Sequence, residues 1–564
     1  MNNTNTFPVD AERLKEGLSI LEKYREKRSN LENRLICDER FWCSRHEPTQ
    51  LSRTSDMPAP ASAWMFSVIT NKHADMLENL PSPVCLAREK SDEEYAKALS
   101  SIIPAIYDRL NFNKIYSDIM YDKLKHGTGV YGVFWDPTAE NGLGDIAIKR
   151  INLLSLYFEP GITELEDSSN VFYTSYADRR MLMEAYPELK DCQSIRGFDG
   201  YFDGIGDKDD KCLVIDWYYK KHIGSKSVLH YVKFTGNTLL YASENDPYME
   251  NGFYAHGKYP FVFDLLYRES DSPCGYGLIS ITKNTQIYID KLDENIIARS
   301  IMASKPRYLM KKNIGLNKSD FLDWNNPIIE VDGDLTEERL KSITLPELDS
   351  SVISVRDSKI NEMREVASNR TVNYGEAGNS FTSGVAIAAL QEAGNKVSRD
   401  MVTGSWNAFI SLTNIVIELI REFYTEKRFF RITMPNEKLY DYVSFSGKDI
   451  GEKEIIIGND HYYRKPVFDV EVRAMKSSAF SRLTQNETII NLFKLGLFEP
   501  QNASVAVTVL DALELEGKSR IIENIKASAL TSESTAAITG KDTDIKNTDK
   551  LSKALHSGAE KLNG

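Results

Sequence analysis

Hydrophobic and polar positions in this chain switch between a helical and a strand period, and the order of the switches lays out its parts. Between residues 10 and 36, Leu14, Leu18, Leu21, Leu31 and Leu35 lie roughly on one stripe with Arg and Lys elsewhere. That spacing predicts an exposed, charged helix. A second helical pattern over 61–80 carries Trp64, Phe66, Ile69, His73, Met76 and Leu77, and Pro81 and Pro83 are expected to end it. Helical spacing returns at 92–111, with a kink or break expected at Pro104, and again at 113–126. After Gly127-Thr128-Gly129 the period drops to two. Residues 130–135 alternate as a strand, Asn141-Gly142 predicts a hairpin turn, and 145–151 runs back. Further strands are predicted at 154–158, 171–177, 212–221, 228–235 and 261–267, with 193–211 as an exposed loop. Residues 127–270 therefore read as a mostly antiparallel β module that follows helices.

The stretch 271–424 is the most informative. A long helical pattern covers 279–304, and a compact insert follows at 305–350 with strands expected at 307–311 and 328–331. A second helical pattern runs from 352 to 370. Next comes a polar loop, 373–384, in which Gly375, Gly378 and Gly384 leave little that could build a core and Glu376 is the one charged side chain. An apolar helix of about 40 residues is expected from Val385, roughly 60 Å long. Leu390, Ala393, Val397, Met401, Ala408, Leu412, Ile415, Leu419 and Phe423 form its stripe. Gly394 and Gly404 inside it mark a bend or a close backbone approach. Strands at 429–434, 454–457 and 467–473 are expected to complete the sheet begun before 270. Helices follow at 481–495 and 501–526, broken at Gly496 and Pro500, and then a tail from 527 with no aromatic residue, which predicts mobility.

Length and composition narrow the class. A chain of 564 residues with 41% hydrophobic content supports several cores. Net charge is −13, with a pI near 5.4. That argues against a protein that grips nucleic acid over its whole surface, since such affinity comes from phosphate neutralisation. Six cysteines, at 37, 43, 85, 192, 212 and 274, form no C-x-x-C pair and fit a reducing compartment. Neither a secretory signal peptide nor a membrane span is predicted.

Candidate chemistry is sparse. Gly517-Lys518-Ser519 resembles the end of a phosphate-binding loop, but Ala512 stands where that motif needs glycine and the preceding pattern is helical. His73 with Asp75, or His126 with Asp122, are the acid–base pairs on offer; no metal-binding histidine spacing accompanies them. Asp207-Lys208-Asp209-Asp210 lacks the glycine and terminal glutamate of a calcium loop. No nucleophile elbow is present. No cofactor, no metal and no enzymatic activity are expected.

The order of parts resembles the portal protein of tailed bacteriophages. The residues that carry the resemblance are Ser272-Pro273-Cys274-Gly275-Tyr276-Gly277, Gln286-Ile287-Tyr288-Ile289-Asp290-Lys291-Leu292-Asp293, and Thr382-Ser383-Gly384-Val385-Ala386-Ile387-Ala388-Ala389-Leu390-Gln391-Glu392-Ala393-Gly394. The resemblance extends over about 60–530. It implies an α+β portal fold with an α/β wing (1–278 and 385–475), two stem helices (279–304 and 352–371), a small α/β clip (305–351), a tunnel loop (372–384), a helical crown (476–530) and a mobile tail (531–564). It also implies a homo-oligomeric ring of twelve subunits at one capsid vertex, assembled in the host cytoplasm and carried in the virion. Double-stranded DNA would pass through without sequence-specific contact. Implied partners are the terminase large subunit, a head–tail adaptor, and the major capsid and scaffolding proteins, with no membrane.

On that resemblance, Asn373, Tyr374, Glu376, Asn379, Ser380, Phe381 and Thr382 would face DNA in the tunnel loop. Lys291, Arg299, Arg356, Lys359 and Arg364 on the rods would touch phosphates, or pair with acidic residues of neighbouring subunits. Lys311, Lys312, Asp320, Asp323, Trp324, Glu337 and Glu338 would form the clip's docking surface. An acidic bore keeps DNA sliding instead of held. Two other classes remain in play. Another structural ring or adaptor of the head–tail junction would lack a working tunnel loop, and a nuclease or ATPase would turn over without partners. The N-terminal helix and the 193–211 loop match no part of the portal plan.

Overall fold

The computed structural model describes residues 9–43, 62–186, 189, 211–223, 226–249, 252–304, 307–310, 340–343, 349–367, 396–433, 440–457, 460–476, 490–494, 503–512, 522 and 525. Two compact units divide the chain, Met1–Met475 and Lys476–Gly564.

The first unit opens with two helices, α1 (Ala11–Lys27) and α2 (Ser29–Trp42), where one was expected. The break falls at Arg28, whose buried side chain turns inward and donates to the carbonyls of Leu153 and Leu156, with its guanidinium 4.5 Å from the Tyr157 ring centre. The leucine stripe is not exposed either: Leu14, Leu21 and Leu35 are buried. Gly17 lies against Trp217, where an added Cβ would come within 2.9 Å of the indole.

α3 (Trp64–Leu77) ends before the two prolines, and these stand in a strand the sequence did not suggest, β1 (Asn79–Ala87). This strand has a single partner, so its missing N–H groups cost no ladder on the other side. α4 (Glu93–Arg109) runs through Pro104 as one helix. α5 (Phe112–His126) ends at Gly127 with φ +86°.

β2 (Thr128–Asp136) and β3 (Asp145–Arg150) pair antiparallel as expected. Asn141 (φ +57°) and Gly142 (φ +93°) both adopt left-handed backbone, but inside a helical turn at 139–142 instead of a tight two-residue hairpin. β4 (Leu156–Phe158), β5 (Asn170–Asp178), β6 (Lys211–Ile223), β7 (Lys226–Thr235) and β8 (Thr238–Ala242) follow, with a short helix α6 (Arg179–Ala185) after β5. They form an antiparallel sheet in sequence order. β9 (Phe261–Leu265) joins the other edge of β2, while β10 (Tyr267–Arg268) pairs with β11 (Gly275–Tyr276).

Then come α7 (Leu278–Ser304), β12 (Arg307–Met310), β13 (Leu340–Ile343) and α8 (Ser350–Val366). β12 pairs with β13, and the expected 328–331 strand lies outside the described residues. The long helix is described as α9 (Lys396–Phe423), and its first expected residues, 385–395, lie outside. Phe409, Leu412, Val416, Leu419 and Ile420 on it are fully buried, so it is a core helix.

β14 (Arg428–Thr433) pairs with β15 (Tyr440–Phe445), β16 (Lys453–Ile457) with β17 (Asp460–Arg464), and β18 (Phe468–Lys476) with β1. Among the described residues β14 to β17 join no sheet begun before residue 270, because hairpin neighbours satisfy both pairs locally, whereas β18 does so through β1. In the second unit, α10 (Ala503–Ala512) contributes Ala506 and Leu510 to a small apolar cluster with Ile522 and Ile525.

Candidate functional site

The described parts of the rods α7 and α8 pack on each other, and Arg356 of α8 donates through Nε to Asp293 of α7 at 2.5 Å. Three separate contacts root this pair in the surrounding helices and strands.

The first is a junction of glycines. Gly127 closes α5, and an added Cβ there would stand 2.2 Å from the Tyr276 carbonyl carbon. At Gly277 it would stand 2.2 Å from the Lys125 carbonyl oxygen, and at Gly275 2.5 Å from the Tyr267 carbonyl oxygen. Backbone touches backbone here, which only glycine permits. Thr128 Oγ1 accepts from Gly275 N–H (2.8 Å), and Arg34 donates to the Gly275 carbonyl (3.0 Å). The Cys-Gly-Tyr-Gly segment is therefore the lock between the C-terminus of α5 and the first turn of α7.

The second is a clamp on α7. Gln286 and Asp290, one turn apart and both buried, face the start of α3. Gln286 Oε1 accepts from Met65 N–H (3.1 Å), and its Nε2 donates to the Ser62 carbonyl (2.8 Å). Asp290 Oδ1 accepts from Ser62 N–H (3.1 Å) and Ser62 Oγ (2.9 Å). Ala63 at the N-cap of α3 has no side chain able to cap. Gln286 supplies that cap from another helix. The third contact places Arg364 of α8 over the Trp64 ring, 5.1 Å from its centre.

The long helix α9 is held by a buried charge. Lys123 and Asp264 are both fully buried and paired at 2.6 Å. The ammonium also donates to Ser405 Oγ (2.6 Å) and the Met401 carbonyl (3.0 Å). Gly404 sits beside it: its Cβ position is 3.7 Å from Lys123 Nζ and 3.6 Å from the Leu265 carbonyl oxygen. These are ordinary van der Waals distances, and α9 is unbroken there, so Gly404 marks neither a bend nor an approach that only glycine allows.

Neither histidine pair exists. His126 meets Glu39 (3.1 Å), while Asp122 is taken by Arg150. His73 stacks on Tyr121 with Nε2 at 3.0 Å from the Ser117 carbonyl, and Asp75 pairs with Lys72. Burial lowers the His73 pKa. Burial alone would raise the Glu39 carboxyl, but hydrogen bonds from His126 and Lys125 outweigh it and hold it at about 2. A folded-state value below the ordinary 4.5 means that this stability is complete above pH ~4.5 and lost as pH falls toward ~2. Urea unfolding of Glu39→Gln should thus run about 1–2 kcal/mol below wild type at pH 7, and the difference should close near pH 2. A pH-independent difference would refute the assignment.

A cavity of about 410 Å³ between α9, residues 255–258 and residues 465–468 holds Glu418, already paired with Arg421 and Lys465. Among the described residues no cluster has metal-ligand character, and no helix is long and apolar enough to cross a membrane. The five described cysteines are free.

Of the basic rod residues, Arg356 pairs with Asp293, Lys359 with Glu362, and Arg364 lies on Trp64. Lys291 and Arg299 are exposed on α7. All seven tunnel-loop residues, Asn373 to Thr382, and all seven clip residues, Lys311 to Glu338, lie outside the described residues, as do Asp207–Asp210 and Gly517–Ser519. The sequence reading missed the roles of Gln286, Asp290, Lys123 and Asp264. Gln286 and Asp290 had a signal, a polar pair at helical spacing among apolar residues. Lys123 and Asp264 had none, being ordinary charges until the fold buries them.

No curated protein matches the chain. The family model described as phage P22-like portal protein matches residues 73–271 and 225–544. With most of its length matched, the chain belongs to the phage P22-like portal protein family, the structural head–tail connectors of bacteriophages.

Proposed function

We propose that copies of this chain close into a ring at a unique capsid vertex and form the channel for packaging and ejecting viral double-stranded DNA. The family membership supports this reading, and one structural observation carries it. One long helix, α7, starts at a glycine-locked root, α8 lies beside it through Arg356 and Asp293, and the paired strands β12 and β13 come between them in the chain.

In this reading α7 and α8 are the stem and 305–351 the clip that docks the terminase motor and then the adaptors. The loop 372–384 faces DNA through Asn373, Tyr374, Glu376, Asn379, Ser380, Phe381 and Thr382. The clip docks through Lys311, Lys312, Asp320, Asp323, Trp324, Glu337 and Glu338. The wing is 1–278 with 385–475, the crown 476–530, and the tail 531–564. Twelve chains of −13 each would carry a formal charge of about −156, which disfavours tight DNA binding.

The native mass and top-view electron image of the purified chain test the reading. Twelve copies of 64.0 kDa give a ring of about 768 kDa with an open centre; a stable 64.0 kDa monomer would overturn it. Deleting Tyr374 to Phe381 is expected to leave ring assembly intact and to reduce packaged or retained DNA. Failed assembly would make the loop structural, and unchanged packaging would favour an adaptor ring instead.

A further inference from the structure

The two rods expose opposite charges in matching positions. Along α7, Ile281, Asn284, Tyr288, Lys291, Asn295 and Arg299 are exposed at three- and four-residue spacing. Helical rotation puts this stripe roughly opposite Asp293, the residue that faces α8. Among the described exposed residues of α7 there is no carboxylate. On α8 the cations are engaged within the chain, as Arg356 with Asp293, Lys359 with Glu362 and Arg364 over Trp64. Its exposed charges are acidic, Asp357, Glu362 and Glu365, and its far side is otherwise small, with Ser351, Ser354 and Ser358. Asp357 takes one hydrogen bond from Arg356 (3.2 Å) and stays exposed.

The spacing is more specific than the sign. Cations on α7 fall at Lys283, Lys291 and Arg299; of the acids on and before α8, Asp349, which also caps α8 by accepting from Ser351 N–H (3.0 Å), Asp357 and Glu365 form an even series, while Glu362, paired with Lys359, falls outside it. Both sets step by eight residues, about 12 Å along a helix. The rods run antiparallel, and the Asp293–Arg356 contact sets their relative height. At that height, Lys291 is level with Asp357, Arg299 with Asp349, and Lys283 with Glu365, each within one residue. Rotational symmetry keeps every copy in a ring at one height, so the same levels face each other between neighbours.

We propose that the α7 stripe docks on the α8 face of the next copy, with Lys291 against the neighbour's Asp357. The inference rests on the ring reading and specifies its stem interface. Tyr288 and the long cations of one face meet the serines of the other, so size and charge are complementary together. The contact is heterologous, one face always meeting a different one, which is what a closed ring requires.

Mixing charge-reversed full-length chains tests it. Lys291→Asp and Asp357→Lys should each assemble about tenfold less than wild type. Combining both changes in one chain should restore rings. So should an equimolar mixture of the two single variants, in rings holding equal amounts of each chain. Rescue by the doubly changed chain but not by the mixture would place the pair within one chain and overturn the proposal. Normal rings from Lys291→Asp with reduced DNA retention would assign Lys291 to DNA and also overturn it. If the reversals fail to fold, Lys291→Cys with Asp357→Cys and a short bismaleimide should give a ladder of linked chains above wild-type background. Absence of that ladder in assembled rings would overturn it. Wild-type chain that forms no ring in the same assay would defeat the ring reading itself.

Discussion

Lys123→Met is expected to destabilise the fold by about 3–5 kcal/mol, read as a lower urea midpoint at neutral pH. The ammonium is fully buried and satisfies three acceptors on two elements: Asp264 of β9, and Ser405 and the Met401 carbonyl of α9. Removing it strands the Asp264 carboxylate, whose second oxygen Oδ2 already has no hydrogen-bond partner. The Tyr131 hydroxyl, whose pKa burial and then the Asp264 charge raise well above the ordinary value, is likewise buried and makes no hydrogen bond to that carboxylate. Replacing both partners, Lys123→Met with Asp264→Leu, should recover most of the loss, because the cost lies in an unpaired buried charge and not in the absence of the pair. A single-variant effect below about 1 kcal/mol would show that the carboxylate finds water, and that the seam between α5, β9 and α9 is looser than the hydrogen bonds imply.

The second large effect is expected at the root of the rods. Gly277→Ala would place a methyl 2.2 Å from the Lys125 carbonyl oxygen and within 2.8 Å of Gly127 N. Both obstacles are backbone, so no side chain can swing away. The α5 terminus and the first turn of α7 must separate, at a cost of about 3 kcal/mol or more. Gly161→Ala is the control. Its φ of +81° strains any other residue, yet nothing lies within 4 Å of the added carbon, so a loss of about 1–2 kcal/mol is expected. Equal melting temperatures for the two variants would mean that the junction relaxes easily. A larger drop for Gly277→Ala, with secondary structure retained by circular dichroism, would identify the junction as the point where the rods are fastened.

Both predictions concern residues whose importance was unevenly visible beforehand. The Ser-Pro-Cys-Gly-Tyr-Gly segment stood out as a motif, but why three glycines cluster around it became clear only when 127, 275 and 277 met in space. Gln286 and Asp290 were noticed as part of a resembling stretch, and their hydrogen bonds to Ser62 and Met65 came from the fold. Misreadings have the same origin. Pro81 and Pro83 end helices by local rule, yet β1 tolerates them because a single partner, β18, lies beside it. The helix of α1 and α2 reads as exposed because the sheet around Trp217 that buries Leu14 and Leu21, some 200 residues away, and the main core that buries Leu35 leave no mark on local periodicity.

The order of the described parts was legible in the chain alone: helices, an antiparallel β module, two rods and a long apolar helix. These follow from period, prolines and glycines, which act within a few residues. The sequence also carried the family, and the eight-residue steps of charge on the two rods were already written in it. Tertiary structure decided which strands pair, which charges are buried, and how the rods are fastened. Those depend on contacts between residues far apart in the chain, where the cost of an unpaired carboxylate or of a carbon pressed against backbone arises only after the segments have met.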